Sequence, residues 1–254
     1  MRDIVYFGWL PNSIEEVLCR SDCRVRLHVP PTSPPPDTIL SQENLLASGI
    51  IIISFWYKYK IPEYAGVIIV LNIHPTLLPE GRGRWPIPNL LYNPCAMGGV
   101  TIHKATSLFD SGDILIQKKI IKDAYETQDT YLAKCLITVS DLLEKVLADP
   151  EYYWNFSTPQ SEISTPITET PRFIDISWSG IEIERYARAF GRGTTYLHIG
   201  ERKIFLDFLL FSRFDHSVAH GVIIGENEST ISIALRDGLI VVYKCVFEPQ
   251  RLIP

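Results

Sequence analysis

Apolar residues arrive along this chain in short bursts separated by turn-forming stretches. Asp3 to Phe7 is such a burst, closed by Gly8, and Ser13 to Leu18 follows as a short helical segment with Ser13, Glu15 and Glu16 at its start. A second strand is expected at Val25 to Val29. Five prolines between Pro30 and Pro36 then exclude a helix or central strand. After them, Ile39 to Leu46 reads as a helix. Ile50 to Ser54 and Val67 to Leu71 are continuous β-branched runs, the pattern of strands buried on both faces. Strands of this kind separated by short helices predict an α/β fold, a mostly parallel sheet with helices on both faces.

The clearest helical period runs through Leu132, Cys135, Leu136, Val139, Leu142, Leu143, Val146 and Leu147, behind a cap at Thr127 and Asp129. From Ser157 to Pro171 the composition turns to Ser, Thr, Pro and Glu, which reads as a linker. Ser179 with Glu182 forms a capping box for a short helix to about Phe190. Apolar, β-rich runs follow at Thr195 to Ile199, Ile204 to Phe211, Val222 to Ile224, Ile231 to Ala234 and Leu239 to Phe247, with a hairpin signal at Asp237-Gly238. Several short strands in so few residues predict a small β-barrel of the oligonucleotide/oligosaccharide-binding (OB) type. The expected domains are therefore 1–156, a linker over 157–171, and a β module over 172–254.

The 254 residues are 46% hydrophobic and 21% charged, which excludes a disordered chain and suits one large domain or two small ones. A net charge of −5 recommends neither nucleic acid nor an anionic membrane as partner. The charge is uneven: residues 172–254 hold 10 basic and 10 acidic side chains, so the whole deficit lies upstream. No apolar run reaches the ~20 residues of a bilayer span, and the start lacks a secretory pattern, so a cytoplasmic protein is expected. The five scattered cysteines match neither a disulfide framework nor a metal site, and no metal is expected.

Two segments concentrate chemistry. In Leu71-Asn72-Ile73-His74-Pro75-Thr76-Leu77-Leu78-Pro79-Glu80-Gly81-Arg82-Gly83-Arg84, a buried strand delivers Asn72 and His74, on one face by period-two alternation, at its carboxyl end. Ligands bind at that end of open parallel sheets. In Gly99-Val100-Thr101-Ile102-His103-Lys104, followed by Phe109-Asp110-Ser111-Gly112-Asp113-Ile114-Leu115, a strand breaks into an acidic turn. By spacing alone, Asp110 and Asp113 are equally well plain turn residues.

Together, Asn-x-His-Pro-Thr-Leu-Leu-Pro, the Arg-Gly after it, Gly-Val-Thr-x-His and Asp-x-Gly-Asp resemble the folate-dependent formyltransferases. That family includes methionyl-tRNA, glycinamide ribonucleotide and amino-sugar-nucleotide formyltransferases. The resemblance covers Ile51 to Leu147 strongly and Trp178 to Phe247 weakly. It implies a Rossmann-like catalytic domain, 10-formyltetrahydrofolate as formyl donor, and Asn72, His74 and Asp110 as the catalytic set. On that view His74 serves proton transfer and oxyanion stabilisation, Asn72 assists with an amide N–H, and Asp110 orients His74. It further implies Lys60 and Ile61 as cofactor-loop residues and Arg82 and Arg84 as substrate-side residues suited to a diphosphate. The chain departs from the family's tRNA enzymes in its first fifty residues, where Pro30 to Ser48 is short and lacks Lys and Arg.

The expected acceptor is a small-molecule amine, foremost an amino-sugar nucleotide. Methionyl-tRNA ranks second because the neutral 172–254 module offers no electrostatic footprint for a polyanion. Hydrolysis of the formyl donor is the third reading. Pairing two subunits is a reasonable use for a neutral module, so a homodimer is also expected.

Overall fold

The structure is a computed structural model that describes residues 1–38, 49–64, 67–161, 172–191 and 193–245. A six-stranded sheet comprises β1 (Arg2–Gly8), β2 (Cys23–Val29), β3 (Ile51–Phe55), β4 (Ile69–His74), β5 (Gly98–Lys104) and β6 (Ile114–Ile120), in the order β2-β1-β3-β4-β5-β6. The first four strands of that order are parallel, as the buried apolar runs predicted. β5 and β6 are antiparallel to their neighbours. Nine residues, 105–113, join β5 to β6, fewer than the dozen or so that a parallel crossover needs.

The helices are α1 (Asn12–Arg20), α2 (Pro86–Tyr92), α3 (Gln128–Ala148), α4 (Pro150–Asn155) and α5 (Gly180–Phe190). The two capping boxes form as their sequences dictate. Thr127 and Thr130 satisfy each other's backbone at the start of α3, and Ser179 and Glu182 do so at the start of α5.

Alternation along β1 separates two cores. Ile4 and Tyr6 join a main cluster with Val139, Leu143 and Leu147 of α3, whereas Val5 and Phe7 pack with Val29, Ile52 and Tyr64 on the opposite face. Helices were expected on both faces, but among the described residues every helix packs on the Ile4/Tyr6 face. The other face is covered by irregular chain: Tyr57 and Tyr64 donate their hydroxyls to the Ser33 and Pro36 carbonyls at 2.9 and 2.8 Å. The helix expected over Ile39 to Leu46 lies outside the described residues, as does most of the expected linker.

A second, antiparallel sheet contains β7 (Tyr196–Ile199), β8 (Arg202–Ser212), β9 (Ile223–Glu226), β10 (Thr230–Leu235) and β11 (Gly238–Lys244), in the order β7-β8-β11-β10-β9. The hairpin at Asp237-Gly238 forms between β10 and β11. Between the two sheets, α5 packs on α2 through the Tyr92 and Tyr186 rings, 5.4 Å apart, and Arg172 lies over Trp85 at 4.1 Å. The main cluster is therefore continuous from β1 to β11. No helix among the described residues is long and apolar enough to cross a membrane.

Candidate active site

Leu71 and Ile73 point into the main core. Period two turns Asn72 and His74 to the other face. On β5, Val100 and Ile102 are the core residues, so Thr101 and His103 share the face of Asn72 and His74. Register completes the arrangement, pairing Asn72 with His103 and His74 with Thr101.

Asp110 comes to these residues from the β5–β6 turn, where it holds the left-handed conformation at φ 53°. Its Oδ1 lies 3.4 Å from His74 Nδ1 and accepts from Asn72 Nδ2 at 3.2 Å; its Oδ2 accepts from the Gly83 N–H at 2.9 Å. The structure thus brings together all three residues of the expected catalytic set. His74 and Asp110 are 5% and 8% exposed. Burial works against the charged Asp110, but His74, His103 and the Gly83 N–H together outweigh it and hold the carboxyl well below the usual carboxylate range. Burial lowers the His74 pKa, with the Asp110 carboxylate and the Gly81 carbonyl opposing it.

Partners fix the protons. His74 Nε2 lies 2.9 Å from the Gly81 carbonyl oxygen, which only accepts, so Nε2 carries a hydrogen. His103 Nδ1 donates to the Lys104 carbonyl at 2.8 Å, leaving Nε2 to accept from Asn72 Nδ2 at 2.9 Å. Both amide hydrogens of Asn72 are therefore engaged, one by His103 and one by Asp110. An N–H from Asn72 reaches a reacting oxygen only if one of those bonds opens.

The remaining expected residues are placed less uniformly. Lys60 is exposed, its Nζ 5.9 Å from the centre of the Phe109 ring beside Asp110. Ile61 packs with the Val5/Phe7 cluster, away from the three catalytic candidates. Arg82 is only 2% exposed and donates Nη2 to the Phe109 carbonyl at 2.6 Å, so it ties two loops together and does not face solvent. Arg84 is exposed. Among the described residues no group of His, Cys, Asp or Glu could hold a metal ion.

Sequence reasoning placed Thr101 and His103 in the Gly-Val-Thr-x-His motif but assigned them no role. The hydroxyl of Thr101 donates to the Thr76 carbonyl at 2.7 Å and accepts from the Leu78 N–H at 3.1 Å, shaping the turn beyond His74. The alternation that singled out Asn72 and His74 also operates in β5, and it was the available signal for both residues.

Residues 63–147 match the family model described as formyl transferase. Over 185 residues the chain is 28% identical to a methionyl-tRNA formyltransferase of Pseudothermotoga lettingae, covering 71% of this chain and 61% of that protein. It is 45% identical over 80 residues to the Thermotoga maritima protein of the same name, 30% of this chain and 25% of that one. The chain thus spans less than two thirds of these relatives. Its fold is similar to a crystal structure of an N-formyltransferase from Helicobacter canadensis in complex with folinic acid and dTDP-3-aminofucose. That match has a TM-score of 0.68 at 18% identity and covers 96% of this chain and 100% of that one. The motif segment thus lies inside the residues that match the formyl transferase family model, and the fold is similar to that of an N-formyltransferase along nearly the whole chain.

Proposed function

We propose that the protein transfers a formyl group from 10-formyltetrahydrofolate to the primary amine of an amino-sugar nucleotide. The observation that carries the chemistry is the His74 Nε2–H, aimed at a carbonyl oxygen and backed at Nδ1 by Asp110. Once a substrate oxygen takes the place of the Gly81 oxygen, the same N–H donates to it, where negative charge develops as an amine attacks a formyl carbon.

The residues present fit a folate donor. The N–H groups of Lys58 to Ile61 make no backbone hydrogen bond among the described residues, and Lys60 Nζ lies 5.9 Å from the ring of Phe109, the neighbour of Asp110 in the chain. The donor, when bound, supplies the formyl carbon. His74 holds the developing oxyanion, Asp110 keeps the His74 ring oriented and favours its charged form, and Asn72 and His103 hold Asp110 in line. With its hydrogens engaged, Asn72 presents its carbonyl oxygen as an acceptor for the incoming amine. Arg84, the exposed member of the arginine pair, suits the diphosphate of the acceptor.

Two observations support a nucleotide sugar over tRNA as acceptor. The fold is similar to that of the Helicobacter canadensis N-formyltransferase, which was crystallised with dTDP-3-aminofucose. Its 172–254 segment, read as an OB-like module, is electrically neutral. The test is incubation with the formyl donor and a panel of dTDP-, GDP- and UDP-amino sugars, with methionyl initiator tRNA alongside. Formylation of a sugar nucleotide is expected; formylation of tRNA alone contradicts the reading.

A further inference from the structure

Asp110 can serve His74 only while its turn stays in place, and the turn has no regular structure of its own. A non-glycine residue in the left-handed region is disfavoured by ~1 kcal/mol or more, so it persists where neighbours hold it. One neighbour is Gln160, which stands beyond α4 and fifty residues from Asp110 in the chain. Its Nε2 donates to the Asp110 carbonyl at 3.0 Å and to the Gly112 carbonyl at 2.7 Å. We propose that Gln160 is a positioning residue, which sets the Asp110 carboxylate against His74 by gripping the backbone of its turn; the inference rests on the formyl-transfer reading above.

The grip is anchored on both sides. Thr158 exchanges two backbone hydrogen bonds with Ile114, each 2.8 Å, and Ser157 Oγ donates to Asp113 Oδ2 at 3.3 Å, so the segment carrying Gln160 is fastened to the start of β6. Opposite it, Arg82 holds the Phe109 carbonyl and the Gly83 N–H holds the Asp110 carboxylate. The carbonyls of Phe109, Asp110 and Gly112 therefore each meet a side-chain donor. Two acceptors dictate the Gln160 amide orientation, because the reverse would set oxygen against oxygen. The result is a buried Oε1 without a hydrogen-bond partner among the described residues. A stranded buried acceptor costs about 1–3 kcal/mol, a cost to stability incurred where the turn is held for its geometry.

The test compares the full chain with Gln160→Met, which keeps length and volume but donates nothing, and with Gln160→Ala. The first readout is the His74 ring titration by NMR, assigned with His74→Gln. Asp110 faces His74 at Nδ1, and His103 and Arg82 are the other titratable or charged groups beside the ring. Withdrawal of Asp110 lowers the His74 midpoint, by about 0.5 pH unit or more, in both variants. The second readout is turnover: kcat falls ~10-fold or more, with KM for donor and acceptor within about twofold of wild type and thermal unfolding cooperative. An unchanged His74 midpoint and unchanged kcat in Gln160→Met overturn the proposal, and so does loss of fold in both variants, which assigns Gln160 to stability alone. If the wild-type chain transfers no formyl group, the functional reading fails while the titration still decides the role of Gln160.

Discussion

His74 Nδ1 and Asp110 Oδ1 face each other at 3.4 Å from two different connections of the sheet, the end of β4 and the β5–β6 turn. A buried carboxylate so placed opposes the loss of the ring's charged form that burial favours, while Nε2 points its hydrogen at the Gly81 carbonyl oxygen. The division of labour at the site follows from that geometry.

His74→Ala removes the proposed oxyanion donor, and Asn72→Ala removes the link that joins His103 to Asp110. Each is expected to lower kcat by at least ~100-fold. Steady-state kinetics check this, with circular dichroism showing that the fold persists. Near-wild-type rates remove the residue concerned from the reaction.

Acid destabilises this site in two steps. Burial places the folded pKa of His74 below its unfolded value of about 6.5, so the unfolded chain binds more protons and stability falls as pH drops below that point. Asp110, whose folded pKa lies below the unfolded value of about 3.9, contributes stability above that pH and loses it as pH falls toward the folded value. Thermal melts from neutral pH downward should show the first decline in wild type and a shallower one in His74→Gln.

The arginine pair should separate cleanly. Arg82→Lys replaces a buried fork with a point charge that cannot reproduce its hydrogen bonds, and unfolding should become easier by about 1–3 kcal/mol in urea titrations. Arg84→Ala should leave stability unchanged and raise KM for the nucleotide acceptor without lowering kcat.

Gly112 lies in the Asp110 turn, where a β-carbon would be driven into the Lys104 carbonyl. Gly112→Ala should destabilise the protein by about 1–3 kcal/mol and lower activity through Asp110, measured by denaturant melts and turnover together.

Strands β1 to β4, helices α1, α3 and α5, and both capping boxes were legible because their signals are local: an alternating or helical period, or a cap three residues from its partner. Asn72 and His74 were legible for the same reason. Helix α2 was not, since Pro86 and Pro88 disguise it; proline is tolerated in a first helical turn, where its missing N–H has no partner to lose. The antiparallel course of β5 and β6, the His103–Asn72 contact and the reach of Gln160 to the Asp110 turn depend on register between distant segments. The burial of Arg82 depends on the same tertiary placement, and a lone arginine in a glycine-rich loop carries no mark of it.

The central claim is that His74, backed by Asp110, drives formyl transfer to an amino-sugar nucleotide. It is tested most directly by following an isotopically labelled formyl group from 10-formyltetrahydrofolate by NMR with wild-type protein and His74→Ala. The account predicts label in a formamide on the sugar amine with wild type and little or none with the variant. Label appearing as free formate, on methionyl-tRNA alone, or equally with both proteins would contradict it.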